Sequence, residues 1–433
     1  MRTGDPSTER VDLSLLDMFE YPIPIDVIYV FKEAVPAAAL EESLRATLRQ
    51  YPELLGRMHK HDDGSLYVDC NDAGAMFTSA RADVSVAGLS EADLAGFSVK
   101  HYLAKNRWLR MVDRDVPLFS VQHTLTACGG MILGMQVAHS LMDGEALVEF
   151  MRNWARVHAG EPAKTGRMYR YMYDGFFDAA VPVGGVPDKV PGFKRMSRLT
   201  LYWKVLKLAW DSRSTRSVVL TFSSQELKNL RAAAREDADA VSASNALLVH
   251  LWRIFADLRP NADDDSCGLF LVVGTRHLRE QNIPRTYWGN AVWHVRADST
   301  YGELRNDSLG GLTNGVQQTQ AGVDYAYVCQ GMQWLRGEHE RGNLLLGVVP
   351  DYELMRRDFF ATNMFMLKMY DPDFGTGTAA WVTTREPPIR WMIRLFPRPS
   401  GRGIAVHCTV PKRWEQLLAS PEVQQRIHMY GGA

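Results

Sequence analysis

Two places in this 433-residue chain spell H-x-x-x-D-G: His59-Lys-His-Asp-Asp63-Gly64 and His139-Ser-Leu-Met-Asp143-Gly144. Histidine is the side chain that serves as a general base near neutral pH, because its unperturbed imidazole is partly neutral there. The chemistry would be direct. A neutral imidazole takes the proton of an acceptor hydroxyl or amine, and the acceptor attacks a thioester carbonyl. No covalent enzyme intermediate is required, and no G-x-S-x-G nucleophile elbow is present to suggest one. A metal role is not expected, since the pattern offers two ligands and no third is marked. With 12 histidines, roughly one chance match to H-x-x-x-D is expected, so context has to choose between the two. HKHDDGS (59–65) reads as a polar turn. His139 closes an apolar run and opens a helical pattern, a place where a side chain is held rigidly at the edge of a core. Taken alone, His139 also reads as a buried, hydrogen-bonded histidine, and Asp143 as the N-cap of the helix that begins GEALVEF.

The elements that must position His139 follow from patterning. LFSVQHTLT (118–126) and MILGMQVA (131–138) are strand-like runs joined by ACGG, a hairpin signal. Leu147, Phe150, Met151, Trp154 and Val157 then recur at helical spacing. Upstream, the patterns predict a strand at 26–31, an amphipathic helix over 36–51 with Pro36 at its start, a strand at 65–70 and a helix over 90–108. Downstream they predict a strand at 218–223, helices over SQELKNLRAAA and SASNALLVHLWRIFADL, and strands at 269–274 and 290–297. Mainly helix follows over 302–340, then strands at 363–370, 378–384 and 403–410, and a helix at WEQLLAS. Strands and helices mix throughout, so the fold class is α/β or α+β.

Residues 161–217 differ. Pro162, Pro182, Pro187, Pro191 and Gly184-Gly185 mark a linker, and eleven Lys/Arg (164, 167, 170, 189, 194, 195, 198, 204, 207, 213, 216) face five acids (161, 174, 178, 188, 211). Such a stretch is either a solvated crossover or a surface for an anionic ligand, such as the CoA phosphates or an acidic carrier protein. Within it, Leu199, Tyr202, Trp203, Leu206 and Trp210 form an apolar stripe beside Lys204 and Lys207. The two readings are a membrane-surface helix and a helix docked on the protein's own core, which is the more common case. The organisation expected is 1–160, 161–217 as crossover, and 218–433.

Composition bounds the rest. A hydrophobic content of 46% and a charged content of 23% are those of a globular chain with a sizeable core. A net charge of −1 gives no global pull towards nucleic acid or membrane. Five scattered cysteines (70, 128, 267, 329, 408) argue against a disulfide framework or zinc site and fit a reducing cytosol. The N-terminus lacks the apolar run of a signal peptide, and no stretch approaches 18 apolar residues. A cytoplasmic protein without a metal, nucleic-acid or membrane partner is expected.

HSLMDG (139–144) resembles the H-x-x-x-D-G signature of the BAHD acyltransferases and of their relatives, the nonribosomal-peptide condensation domains. The resemblance continues in order through LSLLD (13–17), YPELLGR (51–57), VDCNDAGAMF (68–77), SASNALLVHLWR (242–253), Tyr287-Trp-Gly-Asn290 and TNMFMLKMYDPDFGTG (362–377). The last of these favours the BAHD branch, because it is similar to that branch's D-F-G-W-G stretch. Two departures, Thr376 for tryptophan and Asn363-Met364 for Ser-Trp, point to a microbial branch. The resemblance implies two chloramphenicol-acetyltransferase-like half-domains, each a mixed sheet flanked by helices, with a channel between them. It implies an acyl-CoA co-substrate, a small-molecule acceptor, no permanently bound cofactor and a monomer. A carrier-protein-bound donor and a non-catalytic binding protein on the same fold are the alternatives. Catalytic residues by resemblance are His139, Asp143 and Thr362, the last as hydrogen-bond donor to a developing oxyanion. Structural support falls to Gly144, Asn290, Asp373, Gly375 and an arginine pairing with Asp143, for which Arg276 and Arg279 are the candidates.

Overall fold

The computed structural model describes residues 1–7, 9–98, 101–162, 172–177, 188–190, 192–278, 287–351, 358–385, 387 and 389–431. Arg279 and the residues Pro182, Gly184, Gly185, Pro187 and Pro191 lie outside them. Two mixed sheets organise the chain. The first has five strands in the order Trp381–Thr383, Pro24–Phe31, Met131–Ala138, Phe119–Thr126 and Met76–Ala82. Its pairings are antiparallel except the last, which is parallel. The second has six strands in the order Val292–Ala297, Leu269–Gly274, Phe359–Asn363, Met392–Pro397, Ile404–Pro411 and Thr215–Phe222, with two central parallel pairings.

Met131–Ala138 is buried at every position, which is why it reads as a continuous apolar run rather than an alternating one. The turn before it needs both glycines. Gly129 has φ +82°, and a Cβ on Gly130 would fall 2.7 Å from the Phe31 carbonyl oxygen. Helices Ala37–Leu48 and Gly144–His158 pack together beside this sheet. Trp154 Nε1 donates to Ser43 Oγ (3.0 Å), and Ser43 Oγ lies 2.9 Å from His158 Nδ1. Ser224–Ala234, Ala243–Asp257 and Leu309–Ala321 form the corresponding helical layer of the second half.

The halves exchange chain. Trp381–Thr383 follows the second-half strand Phe359–Asn363 in sequence yet extends the first sheet against Pro24–Phe31. The loop leading to it inserts Phe374 against Trp154 (centroids 4.9 Å), His158 (5.6 Å) and Phe31 (6.0 Å).

Several local expectations are corrected. The helix expected over 90–108 reduces to Glu91–Ala95, capped by Ser90, and the 3-10 turn Trp108–Arg110; residues 99–100 lie outside the description. The strand expected over 363–370 is Phe359–Asn363. Beyond it Asn363 Oδ1 accepts the Phe365 amide (3.1 Å) and turns the chain, so NMFMLKMY is a loop despite its apolar composition. Met392–Pro397 has no counterpart in the sequence reading. The stretch 161–217 contains strand Phe193–Arg195, paired with Val348–Pro350, and helix Arg198–Asp211. That helix is not docked by its aromatic stripe: Leu199, Trp203 and Trp210 are 67%, 62% and 70% exposed.

Candidate active site

Strand Met131–Ala138 ends at His139, which begins a 3-10 turn, His139–Leu141. The His139 amide donates to the Ile23 carbonyl (2.9 Å), tying the turn to the neighbouring strand. His139 Nδ1 lies 3.1 Å from Asn290 Oδ1. Asn290 Nδ2 donates to Asp17 Oδ1 (2.8 Å) and to the His139 carbonyl (2.7 Å). Both partners of Nδ2 are acceptors, so the orientation of the Asn290 amide follows, and its oxygen faces the imidazole. An oxygen can only accept, so Nδ1 carries a proton, and in the neutral form of the ring the lone pair is on Nε2. The arrangement thus selects the tautomer whose Nε2 can take a proton.

Asp17 is buried at the end of this chain of contacts. It belongs to helix Leu15–Phe19, where it shares a reciprocal capping box with Ser14 (3.1 and 3.2 Å). Its Oδ1 accepts both the amide (2.9 Å) and the side-chain nitrogen of Asn290. Glu20 follows that helix. Its Oε2 is 4.0 Å from His139 Nδ1, and its Oε1 is 3.3 Å from His294 Nε2. Burial pushes the Glu20 carboxyl up, but His139 and His294 outweigh it and hold the group below the usual carboxylate range.

Asp143 does different work. Its Oδ1 accepts the amides of Glu145 (3.1 Å) and Ala146 (3.0 Å) and so caps helix Gly144–His158. The Arg276 guanidinium binds the same carboxylate through two nitrogens (2.6 and 3.0 Å), and the Ala291 amide donates to Oδ2 (3.0 Å). Arg276 Nη2 also donates to the carbonyls of Tyr287 (3.2 Å) and Gly289 (3.0 Å). Among the described residues Asp143 makes no hydrogen bond to His139. Burial pushes the Asp143 carboxyl up, but Arg276 and the amide donors outweigh it and hold the group below the usual range.

The segment 287–291 therefore serves both ends of the motif. Asn290 orients His139, the Ala291 amide meets Asp143, and the carbonyls of Tyr287 and Gly289 hold Arg276. Gly289 is required there: its φ is +147°, and an added Cβ would lie 2.6 Å from Tyr287 Oη.

The other residues singled out in the sequence lie apart from this network. Thr362 stands on strand Phe359–Asn363 in parallel register with Arg394, is half-buried, and makes no hydrogen bond to His139 among the described residues. Gly144 is the first residue of the motif helix, and a Cβ there would meet Leu367 Cδ1 at 3.4 Å. Asp373 Oδ1 accepts the amides of Gly375 (2.8 Å) and Gly377 (3.0 Å), closing the loop that presents Phe374. A cavity of about 930 Å³ opens beside Tyr21, lined by Lys105, Arg107, Arg110 and Arg114 among others.

His59 sits on strand Arg57–Lys60 rather than in a turn. Its Nδ1 is 3.2 Å from the exposed carboxylate of Asp113. Two residues of this network escape the sequence reading as site residues. Asp17 stands within LSLLD, and the Ser14-x-x-Asp17 capping pattern was a readable sign of a helix start, though not of a contact with Asn290. Glu20 carries no sequence signal: it lies in a stretch, MFEYP, without periodicity.

The model of the Transferase family matches residues 4–417. Putrescine hydroxycinnamoyltransferase 3 of Oryza sativa subsp. japonica is 26% identical over 424 residues, covering 94% of this chain and 91% of its own. Rosmarinate synthase of Plectranthus scutellarioides is 25% identical over 391 residues, covering 88% and 87%. Among solved structures, F. graminearum TRI101 complexed with coenzyme A and deoxynivalenol superposes with a TM-score of 0.76 at 15% identity, covering 96% of this chain and 98% of that one.

Proposed function

The chain belongs to the Transferase family, the BAHD acyltransferases, and from that premise we propose that it moves an acyl group from an acyl-CoA to the amine or hydroxyl of a small specialised metabolite, with His139 as general base. The observation that supports this reading is the Asp17–Asn290–His139 chain, in which Asn290 Oδ1 accepts from Nδ1, an arrangement suited to Nε2 acting as base.

The reaction balances without a covalent enzyme intermediate. Nε2 takes the acceptor proton as the acceptor's nitrogen or oxygen bonds to the thioester carbonyl carbon. The carbonyl oxygen becomes an oxyanion, to which the Thr362 hydroxyl donates. Collapse breaks the carbon–sulfur bond, and the imidazolium returns its proton to the CoA thiolate. A positioned base of this kind contributes about 10²–10⁴-fold, and one oxyanion donor about 10²–10³-fold. Glu20 balances the imidazolium charge during the transfer. Asp143 and Arg276 keep the turn and the 287–291 segment in register and touch no substrate. The working unit is one chain, since both halves that meet at His139 come from the same polypeptide.

The relatives' names direct the choice of substrates. Hydroxycinnamoyl donors with putrescine come first, then agmatine and tryptamine as acceptors. The test is mass-spectrometric detection of acyl transfer from a panel of acyl-CoAs, with wild type beside His139→Ala. Transfer by the wild type that is lost in the variant is expected. Transfer of equal rate in the variant would remove His139 from the chemistry, and transfer only from a carrier-protein thioester would replace the donor.

A further inference from the structure

Helix Arg198–Asp211 carries six large hydrophobic side chains to solvent: Leu199, Tyr202, Trp203, Val205, Leu206 and Trp210. Leu199, Trp203, Leu206 and Trp210 stand at i, i+4, i+7 and i+11, so they form one line along the helix, and Tyr202 lies beside it. The half-buried Leu201 and Leu208 lie on the opposite side. The helix is tethered from its N-terminal end, where the Met196 amide donates to the Gly347 carbonyl (2.7 Å) and the Arg198 guanidinium to the Gly342 carbonyl (3.3 Å). Scattered single exposed hydrophobics need no explanation. A contiguous row containing two tryptophans, a tyrosine and two leucines does.

The chemistry of the row indicates what covers it. Indole and phenol rings combine an apolar body with a polar edge and are favoured where hydrocarbon meets water. Lys207 and, further round, Lys204 stand along one side of the row. Between 194 and 216, Lys194, Arg195 and Arg216 pair with Asp351, with Asp188 and Glu338, and with Glu415, so the cations that bear on the row are Arg198, Lys204, Lys207 and Arg213, against one acid in that stretch, Asp211. Arg213 lies over the Trp210 ring, 5.4 Å from its centroid, which brings a cation to the end of the row. A cationic margin around an aromatic and aliphatic face complements an anionic lipid headgroup layer with hydrocarbon beneath it. Among the described residues no helix is long and apolar enough to cross a membrane, so the helix would lie in the interface.

We propose that helix Arg198–Asp211 docks the protein peripherally on anionic lipid surfaces, with Leu199, Trp203, Leu206 and Trp210 entering the headgroup boundary. This departs from the expectation that the protein has no membrane partner, and it stands independently of the acyl-transfer chemistry.

The test is flotation of the full chain with phosphatidylcholine vesicles, with and without about 30 mol% phosphatidylserine. Wild type is expected to float with the anionic vesicles, and W203S/W210S at least tenfold less. K204E/K207E is expected to lose the preference for anionic over neutral vesicles. Both tryptophans are exposed, so circular dichroism and Tm should match the wild type, which separates lost docking from lost folding. Wild type that stays with the dense fraction, or floats no better than W203S/W210S, overturns the proposal. So does a concentration-dependent dimer that W203S/W210S dissociates while wild-type flotation is absent, since the row would then cover a second copy of the chain.

Discussion

The same six-letter pattern occurs twice in this molecule and produces two unrelated structures. In 59–64 the histidine lies on a short strand, and its nearest carboxylate, Asp113, is itself largely in water. The aspartate of that copy, Asp63, bonds the Ser65 hydroxyl (2.6 Å) and amide (2.9 Å) in an exposed turn. In 139–144 the histidine takes a buried amide partner from a segment 151 residues away, and the aspartate takes a bidentate arginine 133 residues away. The difference teaches that the motif letters are not the site. The site is the motif plus the segment 287–291 and the stretch from Leu15 to Ile23, which supply the Asn290, Asp17, Glu20 and Ile23 contacts around the histidine.

The largest expected effect separates the two histidines. His139→Ala should lower kcat by about 10²–10⁴-fold, the range for a positioned general base, and leave Tm near wild type. His59→Ala should change kcat less than twofold. A steady-state assay on both variants decides it: an inactive His59→Ala, or an active His139→Ala, would reverse the assignment.

The two aspartates should differ in stability. Asp143→Ala leaves the Arg276 guanidinium buried without its carboxylate, a loss of about 3–5 kcal/mol; Asp63→Ala should cost under about 0.5 kcal/mol as a surface change. Chemical denaturation measures both. The linkage has a definite sign. The Asp143 pKa is depressed in the folded state, so its contribution is complete above the unfolded aspartate value near 3.9 and is lost as pH falls through the lower folded value. Asp143→Asn should therefore be less stable at pH 7 and show a shallower fall in stability below about pH 4. An equal slope in both proteins would mean that other carboxylates carry the acid transition.

Asn290 tests the link between the copies' histidines and their surroundings. Asn290→Ala frees the imidazole to adopt either tautomer and removes two bonds to Asp17 and the His139 carbonyl. A fall in kcat of about tenfold or more, with Tm lowered, is expected. Unchanged kcat would show that His139 holds its tautomer without help.

How much of this the sequence made legible depends on the range of the interaction. The strand, turn and helix around His139 are local consequences of apolar periodicity and two hairpin glycines, and they were readable. Asp143 as a helix cap was readable for the same reason. Its second role was not, because the pairing with Arg276 depends on how the two halves meet, and only resemblance suggested it. The loop at 363–370 misled because apolar composition without alternation does not distinguish a strand from a buried loop. Met392–Pro397 and Trp381–Thr383 join their sheets through long-range pairings that no local pattern announces. Glu20 lay outside any pattern, since its meaning comes from two histidines, at 139 and 294, that only the folded chain brings to it.

Glu20 also gives the finest test of the comparison, because neither copy of the motif contains it. Glu20→Gln keeps the shape and the hydrogen bond to His294, and removes a negative charge 4.0 Å from His139 Nδ1. At that distance a unit-charge interaction is worth about 1 kcal/mol in water and about 4 kcal/mol at the effective dielectric of a protein surface. The imidazole is partly exposed, so the lower part of that range applies, and kcat should fall about tenfold (~1.4 kcal/mol). In the proposed reaction the imidazolium forms only after substrate is bound, so KM should hardly move. Asn290 at the imidazole, with Asp17 behind it, remains in the variant. A variant that keeps kcat would restrict Glu20 to holding His294. The imidazolium would then be stabilised by Asp17 acting through Asn290 alone.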